Sequence, residues 1–316
     1  MPERPSIELP DSYSALPFET IKLSHHPAEA PAPTPILIVT LNRPKAYNAF
    51  NFVMQAELEK AFYLADVDDR VKVVVITGSG KMYCAGADLA GPSKAFTRDT
   101  KIRVPDTRDG GGQVALSIHN CRKPVIGAIN GSAVGIGITM TLPMTIRISC
   151  VQAKIGFVFS RRALVMEACS SFFLPRLIGY ARALHLVTTG STYQADNKLL
   201  DGLFSEVLDK PEKVLPRALE IAEDVSKNCS NVSMALMKDM IWRNPGSAEG
   251  THLLDSKIMW ELFGTKDNDE GVKSFMEKRP VNFTGSVADD APSTYPWWEP
   301  INTVTRAFAA PKGSKL

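Results

Sequence analysis

Glu167 is the only acidic residue between 110 and 195 of this 316-residue chain. It stands in Ala163-Leu164-Val165-Met166-Glu167-Ala168-Cys169. Apolar neighbours disfavour the charged form of a carboxyl and raise its pKa, which suits a base working near neutral pH. The bland role for such a residue is a solvated glutamate opening a helix, which is favourable at a helix N-terminus. A second candidate works through its backbone. Lys81-Met82-Tyr83-Cys84-Ala85-Gly86-Ala87-Asp88-Leu89 follows a buried-strand pattern at Val71–Thr77, and the small residues at 84–87 leave N–H groups open to a ligand. A small-residue loop after a strand is where α/β proteins place their sites, and it is also an ordinary strand-to-helix turn. Gly135-Ile136-Gly137 reads as tight helix–strand packing.

Other patterns fail. Thr77-Gly78-Ser79-Gly80-Lys81 looks like a phosphate loop, but that motif needs glycine at 75 and Ser or Thr at 82, where Val75 and Met82 stand. Gly131, Gly135 and Gly137 do not fit the dinucleotide fingerprint. The five histidines are scattered and show no catalytic triad spacing. Cys84, Cys121, Cys150, Cys169 and Cys229 form no Cys-x-x-Cys pair, so no metal site is expected. An odd number of spaced cysteines fits free thiols in a reducing compartment.

The elements that must position these residues alternate between strand and helix. Strands are expected at 18–23, 36–41, 71–77, 124–129 and 145–150, with a Pro-rich loop over 25–35. Apolar spacing predicts helices at 51–66 and 113–121 and a short one opening at Gly135. Residues 90–112 are polar and Gly-rich and read as a mobile loop. Helical patterns follow at 180–189, 211–228, 233–243, 248–263 and 268–278. The division expected is a disordered or extended segment at 1–17, an α/β core at 18–200, a helical region at 201–283 and a polar tail at 284–316.

A net charge of +2, with no basic stripe, argues against a nucleic-acid partner. No run of eighteen apolar residues suggests a membrane span, and the first residues lack a secretory h-region. Ser314-Lys315-Leu316 matches the tripeptide read by the peroxisomal import receptor, so the peroxisomal matrix is the expected location.

Three stretches, in order, resemble the crotonase (enoyl-CoA hydratase/isomerase) superfamily. They are Leu41-Asn42-Arg43-Pro44-Lys45-Ala46-Tyr47-Asn48-Ala49, Tyr83–Leu89, and Lys123-Pro124-Val125-Ile126 through Asn130-Gly131-Ser132-Ala133-Val134-Gly135-Ile136-Gly137. The resemblance spans roughly residues 18–283. It implies an α/β fold, a spiral of repeated β-β-α turns with a C-terminal helical region for trimerisation, as a homotrimer or a dimer of trimers. It implies an acyl-CoA substrate whose coenzyme A is not a separate cofactor, bound by Ala46 and by Ala85, Gly86, Ala87, Asp88 and Leu89. It implies an oxyanion hole from the N–H groups of Ala87 and Ile136, the latter a position usually held by glycine. The two glutamates of a hydratase would fall on Thr139 and Phe159, neither of which is a carboxylate. Glu167 resembles the single glutamate of peroxisomal 3-enoyl-CoA to 2-enoyl-CoA isomerases. The expected activity is therefore a double-bond shift. Hydration or dehydration, possibly in secondary metabolism, is the alternative, and a non-catalytic acyl-CoA binder is a second one.

Overall fold

Burial of a continuous apolar run organises the molecule. In the structure, a computed structural model that describes residues 8–30, 32–90, 96–97 and 103–303, Val73–Gly78 forms a strand buried at every position. Strands covered on both faces take such unbroken apolar sequences. In chain order the elements are β1 (Ile21–His26), β2 (Ile36–Leu41), α1 (Phe52–Val67), β3 (Val73–Gly78), β4 (Met82–Cys84) and α2 (Gly110–Asn120). Then come β5 (Val125–Ala128), β6 (Ser132–Val134), α3 (Ile136–Thr139), β7 (Ile146–Cys150), β8 (Lys154–Gly156), α4 (Ser170–Ile178) and α5 (Tyr180–Thr189). The chain continues through β9 (Thr192–Gln194), β10 (Glu206–Leu208), α6 (Val214–Asn228), α7 (Asn231–Trp242), α8 (Ala248–Leu262), α9 (Lys266–Glu277) and α10 (Val287–Asp290).

Two sheets share these strands. One has the order β1-β2-β3-β5-β7-β10, the other β4-β6-β8-β9. Successive pairs β3–β4, β5–β6 and β7–β8 each put one strand in the large sheet and the next in the small one, and a helix follows. This is the β-β-α spiral the resemblance implies, with parallel neighbours turn after turn. Helix α6 packs across β3, β5 and β7.

Several local expectations change. His25 and His26 belong to β1, because antiparallel pairing with β2 carries on to His26 opposite Ile36. Helix α2 starts at Gly110, since the Asp109 side chain accepts from the Gly112 N–H at 2.9 Å and caps it. Glu167 opens no helix, because α4 begins at Ser170. Helix α3 is a single turn, so it supplies little of the expected dipole. Tyr13, in the segment expected to be extended or disordered, is fully buried and donates to Asp68 at 3.0 Å. Past residue 200, β10 adds the last strand to the large sheet. Ser314, Lys315 and Leu316 lie outside the described residues, as does most of 90–102. Among the described residues, no helix is long and apolar enough to cross a membrane.

Candidate active site

The loop after β2 and the loop after β4 are knitted together. Asn48 sits in the left-handed region at φ 55°. Its Oδ1 accepts from the Arg43 N–H at 2.8 Å, and its Nδ2 donates to the carbonyls of Ser79 and Met82 at 2.9 and 2.8 Å. Ala85 N–H donates to Tyr47 O, Phe50 N–H to Gly86 O, and Asp88 N–H to Phe50 O. Gly86 has φ +102°, and a Cβ there would come 2.9 Å from Val134 O, so only glycine fits. Asp88 is held by Arg43 at 2.7 Å, which braces the loop.

This cross-bracing consumes the N–H groups of Ala85 and Asp88. Among the described residues, the N–H of Ala87 has no acceptor. The N–H of Ile136, first residue of α3, has none either. Both residues line one cavity of about 600 Å³, together with Phe50, Val134, Phe159, Met166 and Glu167. Of the sequence-predicted residues, Ala85, Gly86, Ala87, Asp88, Leu89, Ile136 and Glu167 come together on its wall. Ala46 is half-buried on the turn at 44–46 and is not part of that wall.

Glu167 reaches the cavity from the segment between β8 and α4. Burial pushes its carboxyl up to about 7, Asp109 adds in the same direction, and a hydrogen bond from Thr139 opposes them. Thr139 is fully buried on α3, and its hydroxyl meets both Glu167 Oε1 and the Gly135 carbonyl. A hydroxyl can donate once and still accept. It can donate to the ionised carboxylate, or turn to Gly135 and accept from the neutral acid, so it serves both protonation states. Phe159, only 8% exposed, is an apolar wall.

Asp109 also lines the cavity, beside Gly110 and Gly111. No motif in the sequence marks it as a site residue. The signal that could have found it is an aspartate directly before three glycines and an apolar helical run, the pattern of an N-cap. The close approach is visible at Gly111, where a Cβ would collide with Glu167 Oε2 and come 3.1 Å from Asp109 Oδ1.

A buried carboxyl pushed up to about 7 and two N–H groups that have no acceptor among the described residues line one cavity, an arrangement suited to acid–base chemistry. The family model described as "Enoyl-CoA hydratase/isomerase" matches residues 32–286, and the chain belongs to that family. "Enoyl-CoA hydratase ACTT3" of Alternaria alternata is 46% identical over 281 residues, covering 89% of this chain and 92% of that protein. "1,2-epoxyphenylacetyl-CoA isomerase" of Escherichia coli (strain K12) is 31% identical over 256 residues, covering 79% and 95%. A crystal structure of enoyl-CoA hydratase from Bacillus anthracis superposes with a TM-score of 0.74 at 28% identity, over 85% of this chain and 100% of that one.

Proposed function

We propose that this enzyme shifts a double bond in an enoyl-CoA thioester, from 3-enoyl to 2-enoyl, with Glu167 as the single proton carrier. The observation that carries the reading is Glu167 itself, on the cavity wall with a carboxyl near pH 7, while Thr139 and Phe159 stand where the resemblance puts a hydratase's two glutamates. Ionised Glu167 takes the proton from C2. The electron pair moves onto the thioester oxygen and gives a dienolate, which the N–H groups of Ala87 and Ile136 stabilise. Neutral Glu167 then returns the proton at C4, and the double bond ends between C2 and C3. Substrate and product have the same mass, and coenzyme A is part of both.

Hydration of a 2-enoyl-CoA is the second reading. Two observations favour it: relatives at 45–46% identity carry the name enoyl-CoA hydratase, and Asp109 brings a second carboxyl to the cavity. Incubation with 3-hexenoyl-CoA and 2-hexenoyl-CoA in deuterated water, followed by mass analysis, separates the cases. Interconversion with only deuterium uptake is the expected outcome. Gain of one water means hydratase, and an unchanged substrate points to a binder or another acyl chain. Glu167→Gln is expected to lose about 10²-fold or more in rate while acyl-CoA binding survives. A fully active Glu167→Gln enzyme ends the proposal.

Peroxisomal delivery belongs to the same reading, supported by Ser314-Lys315-Leu316. A fluorescent fusion that ends in these residues should collect in peroxisomes, and deletion of the three should disperse it.

A further inference from the structure

We infer that Asp109 is a positioning residue for Glu167: from the start of α2 it holds the strained peptide that follows Glu167 and keeps a second carboxylate against it. The inference rests on Glu167 as the proton carrier.

The geometry has three parts. Ala168 and Cys169, directly after Glu167, adopt left-handed conformations at φ 53° and 54°. Non-glycine residues there are strained and persist where their surroundings hold them. Asp109 Oδ2 accepts from the Ala168 N–H at a long 3.4 Å, while Oδ1 accepts from Gly112 at 2.9 Å. Three glycines at 110–112 then let the backbone pass against the Glu167 carboxyl, since a Cβ on Gly111 would collide with Oε2. On the other side, Ser170 N–H and Oγ hold the Glu167 carbonyl at 2.9 and 2.5 Å. Glu167 is thereby clamped between α2 and α4.

Among the described residues, the groups around Glu167 are few. Thr139 comes from α3, and the thiols of Cys84 on β4 and Cys169 in the same segment are kept neutral, Cys84 pushed up to about 12 by burial. Arg108 and Arg162 line the cavity; Arg108 is turned to the carbonyls of Pro105, Thr107 and Thr303, and Arg162 to that of Arg161. Asp109 is thus the negative charge that opposes ionisation of Glu167. Without it, Glu167 would ionise at lower pH and abstract protons less strongly.

The test uses Asp109→Asn and Asp109→Ser, both of which keep a good helix N-cap while removing the charge. The carboxyl band of Glu167 is followed by infrared difference spectroscopy against Glu167→Gln, alongside pH profiles of kcat and KM. The expected result is a Glu167 midpoint lower by about half a unit to one unit in either variant, with the kcat limb moving in step. An unchanged midpoint in both overturns the inference. A midpoint that moves while Glu167→Gln stays active removes the proposed reaction and the inference with it, whereas an unchanged midpoint with an inactive Glu167→Gln removes the inference alone.

Discussion

The Thr139 hydroxyl decides how cheaply Glu167 ionises. It is the group that lowers the Glu167 pKa against burial. Thr139→Val removes the hydroxyl and nearly preserves volume, so Glu167 should titrate above about 7. The sign for catalysis follows directly. Abstraction from C2 needs the carboxylate, so the wild-type rate rises as pH passes about 7, and the variant's limb lies at higher pH. At pH 6 the variant should be slower, and by pH 9 much of the difference should vanish. A pH–rate series on both proteins checks this, and coincident limbs would remove Thr139 from the scheme. Stability runs the other way. A carboxyl whose folded pKa is raised favours the native state most below its unfolded value near 4.5, and that advantage is lost as pH rises through 7. Glu167→Gln should flatten this dependence, visible as a Tm that changes less between pH 5 and 8.

Elements are tied together by a few buried polar groups. Glu57 on α1 is 8% exposed. Its carboxylate accepts from the backbone N–H groups of Glu19, Thr20 and Ile21 at 2.6, 2.9 and 3.2 Å, and from the Thr20 hydroxyl. These bonds anchor the start of β1 to α1. Glu57→Leu would orphan three backbone donors and the Thr20 hydroxyl at once and should cost about 3 kcal/mol or more, read as a lower urea midpoint. At this scale the long elements were legible: α1 has helical apolar spacing and an Asn51 cap, and β3 has an unbroken apolar run. The three-residue strands β4, β6 and β8 were not, because so short a segment carries no period. They form only because the spiral places them side by side.

On the whole molecule, helices α8 and α9 expose an apolar face. Trp260 is 76% exposed and Phe275 81%, with Leu253, Met259, Phe263, Val272 and Met276 nearby in the sequence and also exposed. Met259, Phe263, Val272 and Phe275 also line a groove of about 520 Å³. Such a patch is unusual on a monomer, and the expected partner is another copy of this chain. Light scattering should report three or six copies. Trp260→Asp combined with Phe275→Asp should shift the population towards the monomer, and a wild-type monomer at micromolar concentration would overturn the expectation.

The sequence by itself carried the resemblance to the family, which implied the β-β-α spiral and named Ala87 and Ile136 as expected N–H donors. The resemblance lies in short contiguous motifs that follow strand patterns, and what they imply comes from the family rather than from spacing. It also singled out Glu167, because no other acid shares its stretch of chain. Only the tertiary structure decided which N–H groups have no acceptor among the described residues, since Ala85 and Asp88 spend theirs on the loop after β2 while Ala87 and Ile136 do not. It also decided that Asp109 accepts from the Ala168 N–H, next to Glu167. That contact joins the start of one helix to the approach of another, and the burial that raises the Glu167 pKa is a property of the packed molecule that no local pattern encodes.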